Sequence, residues 1–197
     1  MDLDPANRAW VEVATPLSCP ELWQFLQDIR RLLRLNPHWN LHHWQQENLL
    51  CQARLQDELV DYPLELSFLL ESSPQTWTMT FHHRQGEKIL TRFTLRPAAD
   101  FTAILTIEDF YHHPLSHQHP RLDHSLIPWG SAIHGHLLQQ KKYGWLPGYA
   151  WYMDRVHLAM APRNRRLTRL LLILSLAEFI FFLGVLALYL LQSDHGP

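Results

Sequence analysis

The 197-residue chain predicts an α+β fold: a curved antiparallel β-sheet wrapped around a C-terminal helix, followed by a C-terminal transmembrane helix. Three observations predict it. Short segments of alternating polarity follow one another from residue 38 to 111, separated by turn residues, which is the periodicity of an antiparallel meander. Helical patterns flank that run on both sides. Residues 170–191 then carry a single charge, Glu178. A helix of that length is ~33 Å long at ~1.5 Å per residue, enough to cross a ~30 Å hydrocarbon core.

Residues 8–15 alternate, with Trp10, Glu12 and Ala14 on one face and Ala9, Val11 and Val13 on the other. Pro16 ends this strand. Ser18 with Glu21 at capping-box spacing, and Pro20 near the first helical position, start one helix that runs to Leu35. Leu22, Phe25, Leu26 and Ile29 recur at helical spacing on it, and Asn36-Pro37 stops it. Strands follow at 38–46, 49–60, 64–70, 76–83, 89–95 and 102–111, with turns at 47–48, 72–75, 85–87 and 97–100. In 76–83, Trp77, Met79 and Phe81 share one face. Residues 111–127 read as loop. Residues 129–143 and 149–160 read as helical, split by Leu146-Pro147-Gly148.

This order of elements resembles the START-like helix-grip superfamily, which includes polyketide cyclases and dehydrases, lipid-transfer proteins and coenzyme-Q-binding proteins. The opening strand RAWVEVAT, the segment CPELWQFLQDIRRLLRLNPHW and the alternating hairpins carry the resemblance, over about residues 8–160. It implies a ligand-binding cavity between sheet and closing helix. It supplies no family-wide catalytic motif, and the break at Pro147-Gly148 departs from one smooth closing helix.

The expected organisation is a ligand-binding domain over 1–161, a basic juxtamembrane linker over 162–169, the span over 170–191 and a short tail over 192–197. Arg163, Arg165, Arg166 and Arg169 precede the span and no Lys or Arg follows it. The positive-inside rule then puts the N-terminal domain in the cytoplasm, as a single-pass, tail-anchored protein. Pro162 is expected to break the chain between domain and anchor. The first residues show neither a cationic start nor an apolar core, so no signal peptide is expected. Glu178 either reaches toward water or is protonated, or else it contacts a second copy of the helix or another membrane subunit.

The whole chain carries a net charge of −2. Arg163 onward holds four of the 17 basic residues and two of the 19 acidic ones, so the domain before it carries −4. That argues against a nucleic-acid partner. Two cysteines without a CxxC argue against a disulfide framework.

Among candidate site residues, Trp39, Trp44, Phe68, Trp77, Met79, Phe81, Phe93 and Phe110 fall on strands in alternating patterns. Together they are expected to line an apolar cavity. Trp145, Tyr149 and Trp151, with the four arginines, are expected at the membrane interface. His112, His113, His117, His119 and His124 with Asp123 form a histidine-rich stretch, but no metal-site spacing is present and no metal or other cofactor is expected. Glu108 and Asp109 alternate in facing, so one carboxylate points inward. No nucleophile elbow or phosphate loop is present, and no catalytic residue is assigned.

The expected function is membrane-tethered binding or transfer of a hydrophobic small molecule: a lipid, isoprenoid, quinone or polyketide. Two other readings predict different interiors. A cyclase-type enzyme on this fold needs an inward carboxylate beside a histidine. A non-catalytic accessory subunit of a membrane complex has a solid core.

Overall fold

The computed structural model describes residues 7–58, 62–73, 75–81, 88–99, 102–112 and 120–193. The elements are β1 (Arg8–Thr15), α1 (Cys19–Leu26), α2 (Ile29–Leu35), β2 (Trp39–Glu47), β3 (Leu50–Asp57), β4 (Tyr62–Ser73), β5 (Thr76–Phe81), β6 (Lys88–Pro97), β7 (Ala103–Tyr111), α3 (Pro120–Tyr143), α4 (Tyr149–Tyr152) and α5 (Pro162–Ser193). A π-helical turn at Met153–His157 follows α4.

The seven strands make one antiparallel sheet in the order β1-β7-β6-β5-β4-β3-β2. Consecutive strands from β2 to β7 are neighbours joined by short connections. The two helices α1 and α2 carry the chain from β1, beside β7, to the opposite edge. The sheet is curved and holds the helices against one face, the helix-grip arrangement. The first unit, Met1–Ala159, contains the sheet, α1 to α4 and the π-helical turn; the second, Met160–Pro197, contains α5.

One sheet face carries the core. Its positions include Val13 of β1, Leu105 and Ile107 of β7, Phe93 and Leu95 of β6, Met79 of β5, Phe68 and Leu70 of β4, and Cys51 and Leu55 of β3. Leu126, Trp129, Ile133 and Leu137 recur every three or four residues on α3 and are buried against it. Gly130 brings α3 close to β1: a Cβ there would meet Val13 Cγ2 at 3.0 Å and Val11 Cγ1 at 3.3 Å. Trp129 ties α3 to α2 by donating from Nε1 to the Leu32 carbonyl at 2.9 Å.

Three expectations are corrected. The helix expected to run unbroken to Leu35 is two helices, α1 and α2. Asp28 caps the second, its Oδ1 accepting from the Arg31 N–H at 3.0 Å. Leu22, Phe25, Leu26 and Ile29 are all buried, so the apolar spacing continues across the joint and conceals it.

The expected loop 111–127 is shorter, because α3 starts at Pro120 and contains Pro128. Proline suits a first helical turn, and Leu126, only 2% exposed, anchors the segment around the interior proline. The expected helix 149–160 is one α-helical turn continued by the π-helical turn, after which Leu158 joins the core.

Residues Pro162–Leu186 of α5 form a stretch long and apolar enough to cross a membrane, and an 18-residue segment within it has mean hydropathy 2.3 and no burial. The basic residues Arg163 to Arg169 are helical and form the start of that stretch. Within this unit Arg165 Nε donates to the Met160 carbonyl at 2.9 Å.

Candidate functional site

At one end of the core face a buried ion pair sits among aromatic rings. Asp109 of β7 is completely buried and Glu108 beside it faces the other way. Lys88 Nζ lies 2.5 Å from Asp109 Oδ2. Thr91 donates its hydroxyl to Asp109 Oδ1 at 2.5 Å, and the Tyr111 hydroxyl donates to Oδ2 at 3.4 Å. Thr91 is fully buried and Tyr111 is 2% exposed.

Strand pairing builds this group. Lys88 opposes Tyr111, and Thr91 opposes Asp109, so all four side chains come from neighbouring rungs of β6 and β7. Lys88 and Thr91 are three residues apart and would ordinarily face opposite ways. A bulge between Lys88 and Leu90 turns both inward.

On the other side, Glu108 receives Arg8 Nη1 at 2.8 Å and lies 3.9 Å from Arg92 Nη1. Those contacts are partly exposed, and such pairs contribute about 1 kcal/mol or less. The inner pair differs in kind, since a fully buried carboxylate needs a partner at all times.

The Lys88 ammonium also faces two rings, lying 5.6 Å from the Phe81 centroid and 5.9 Å from that of Trp39. The rings continue on both sides. Phe81 packs on Phe68 at 5.5 Å and Phe68 on Trp44 at 6.1 Å. Trp39 packs on Trp129 at 5.4 Å, and Phe93 meets Trp129 edge-on at 5.7 Å. Trp39 and Trp44 reach the same face, although five residues apart, because β2 bulges between Leu41 and His43.

The structure therefore brings together Trp39, Trp44, Phe68, Phe81 and Phe93. Phe68, Phe93 and Met79 are buried to 1% exposure or less and pack the core itself. Trp39, at 9%, and the half-buried Trp44 and Phe81 are the more open rings.

Trp77 packs on Trp23 of α1 at 5.9 Å, at the far end of β5 from Phe81. Its buried Nε1 meets no acceptor among the described residues. Phe110 corrects the expectation of a cavity position. It pairs with Leu90 and Arg8 on the outer face, where Arg92 stacks over its ring at 5.1 Å.

Lys88, Thr91, Tyr111 and Trp129 are the residues missed by sequence reasoning. A lysine beside a turn reads as solvated, and Trp129 belonged to a helix whose apolar face had no known counterpart.

His113, His117 and His119 lie outside the described residues, as do the side chains of His124 and Asp123 and the turn at 85–87. His112 is exposed. Among the described residues, no group of three His, Cys, Asp or Glu is arranged to hold a metal ion.

At the domain's other candidate surface, Trp145 is 77% and Trp151 65% exposed, whereas Tyr149 is half-buried against Tyr143 at 5.9 Å. Burial and the nearby Tyr143 push the Tyr149 phenol up from its ordinary value. Arg163, Arg166 and Arg169 are exposed at the start of α5 and Arg165 is half-buried there. Glu178 is exposed along the apolar stretch.

The fold defines the class: a seven-stranded antiparallel sheet gripping a helix, with a polar group buried at one end of the grip. No family profile matches the chain, and no curated relative matches its sequence. Solved structures match its fold. The protein XoxI from Bacillus cereus is 10% identical with TM-score 0.52, covering 68% of this chain and 97% of that one. Protein NE0264 from Nitrosomonas europaea is 15% identical with TM-score 0.51, covering 71% and 99%. Ms6760 from Mycobacterium smegmatis is 11% identical with TM-score 0.52, covering 71% and 98%. At such identities the likeness extends to the fold alone.

Proposed function

We propose that this chain is a membrane-tethered, START-like domain that binds a hydrophobic small molecule with a polar head, in the grip between sheet and α3. The observation that carries the reading is the Lys88–Asp109 pair within its ring of aromatics. A core built for stability alone does better with apolar residues, because desolvating two charges costs about as much as their attraction returns. Here the pair is kept, and the ammonium has three donors of which Asp109 takes one. A ligand carbonyl or hydroxyl accepts from another, while Trp39 and Phe81 cover its apolar body. Lipids, isoprenoids, quinones and polyketides all have this two-part chemistry.

The apolar stretch of α5 supports membrane attachment, and the arginines before it support a cytoplasmic domain. The exposed Trp145 and Trp151 suit the headgroup zone. Tethering raises the local concentration of a ligand that partitions into lipid, with no aqueous search. Glu178 is then the position for a membrane-protein partner or for a contact with interfacial water.

The cyclase reading gains an inward carboxylate in Asp109. Its partners among the described residues are Lys88, Thr91 and Tyr111, with no histidine, so binding is the better-supported activity.

The test is gentle extraction of the full-length protein from its membrane and mass spectrometry of what travels with it. One hydrophobic compound at near-stoichiometric amount, lost from Lys88→Gln, is the expected result. Bulk phospholipid in membrane proportions, identical in both proteins, would refute the binding reading.

A further inference from the structure

We propose that a basic groove between α2 and the π-helical turn is a second binding site, for the phosphate-bearing headgroup of an anionic lipid. The groove encloses about 410 Å³ and is lined by Arg30, Arg31, Arg34 and Arg155, Asp28 and Asp154, with Leu158 and Ala159. Four arginines against two aspartates leave a lining of +2 on a domain whose net charge is −4.

Both aspartates are engaged by the same arginine. Arg31 Nη2 lies 3.2 Å from Asp28 Oδ2 and 3.2 Å from Asp154 Oδ2. These contacts lock the two walls together and fix Arg31 across the floor. Arg30 and Arg155 are exposed, and Arg34 is half-buried. Arg30 and Arg34 are four residues apart on α2 and share a face. Burial first, then the neighbouring Arg30, push the Arg34 guanidinium below its ordinary value, while Asp28 works the other way.

Guanidinium forks match phosphate oxygens in pairs, which lysines do not. The domain's overall acidity disfavours nucleic acid as the source of phosphate. Chain connectivity favours lipid. Ala159 is three residues before Pro162, where α5 starts, and three residues of chain reach ~11 Å at most; the apolar run from Leu170 begins about two helical turns later, ~12 Å along α5. This inference rests on the proposal that α5 enters a bilayer, and not on the identity of the ligand at Lys88.

The experiment is native mass spectrometry of the full chain in a mild nonionic detergent, titrated with phosphatidylglycerol or phosphatidylcholine. Three proteins are compared: wild type, Arg30→Gln/Arg155→Gln, and Arg166→Gln/Arg169→Gln. The groove substitutions are at exposed positions, where folding is little affected. Wild type is expected to take up one phosphatidylglycerol more readily than phosphatidylcholine. The groove variant should bind it at least about tenfold more weakly, since it loses the charge-assisted hydrogen bonds of two guanidiniums. The α5 variant should keep most of the preference.

Equal binding by wild type and the groove variant overturns the proposal, and so does a preference lost only from the α5 variant. Displacement of the lipid by millimolar inorganic phosphate also overturns it, identifying a soluble phosphate as the occupant. Carbonate extraction of membranes holding the wild type reports on the anchor separately.

Discussion

Lys88 and Asp109 meet at 2.5 Å across β6 and β7 because a bulge before Leu90 turns Lys88 from the outer face of the sheet to the inner one. The pair is asymmetric. Asp109 is sealed, whereas the Lys88 side chain keeps 21% of its surface open. One charge therefore belongs to the interior, and the other stands at its edge, partly open.

That asymmetry predicts how the pair responds to substitution. Lys88→Met leaves a buried carboxylate with only the Thr91 and Tyr111 hydroxyls, and the domain should lose roughly 3 kcal/mol. Adding Asp109→Leu removes the stranded charge and should restore most of the loss. Urea unfolding of the full chain in detergent measures both. A double variant less stable than Lys88→Met would show that the pair does not behave as a desolvated ion pair.

His136 provides a pH dependence. It is 8% exposed on α3, its ring 5.9 Å from Phe25, and its Nδ1 has no partner among the described residues. Burial first, then the positive charge of Arg31, pushes its pKa down to about 4; Asp154 works the other way and His157 with Arg31. The folded protein thus resists a proton that the unfolded chain accepts near pH 6.5. Stability contributed by neutral His136 is intact above that pH and is lost as pH falls from 6.5 toward 4. The loss reaches roughly 3 kcal/mol. Melting temperatures over this range should fall less steeply for His136→Leu than for wild type, and parallel curves would contradict the assignment.

Much of this fold was legible because the sheet obeys a period of two. In β5, Trp77, Met79 and Phe81 face inward as their spacing predicts, and Ala9 and Val13 do the same in β1. The site was less legible because it depends on two departures from that period. The bulge after Leu41 aligns Trp39 with Trp44, and the bulge after Lys88 aligns Lys88 with Thr91. Aromatic character alone counts Phe110 among the cavity residues, whereas alternation with Leu105, Ile107 and Asp109 puts it on the other face. The α1–α2 joint is hidden for the opposite reason: both helices bury the same apolar stripe, and only the Asp28 cap marks the break.

Cysteine chemistry tests the core independently. Cys51 is fully buried on β3, and burial pushes its thiol up to about 11. Cys19 is half-buried at the start of α1. Thiolate is the reactive form, so an alkylating reagent at pH 8 should modify Cys19 first and leave Cys51 intact until the domain unfolds. Peptide mapping after brief iodoacetamide treatment gives the order. Rapid labelling of Cys51 in the folded chain would mean that the sheet opens locally at β3.

Phe81 and Phe110 make the sharpest comparison for the proposed function, since they are the same residue type on opposite faces of one sheet. Phe81 is half-buried and faces the Lys88 ammonium, whereas Phe110 is 5% exposed beneath Arg92. Phe110→Ala removes the more deeply buried ring and should cost about 3 kcal/mol or more of stability. If the ligand lies on the inner face, that variant still retains its co-purifying compound. Phe81→Ala should cost less stability but lose the compound, because it opens the wall that covers the ligand's apolar body. Measuring melting temperature and bound compound on the same two preparations separates the effects. Retention that simply followed stability would mean that the aromatic end of the grip is core and holds no ligand.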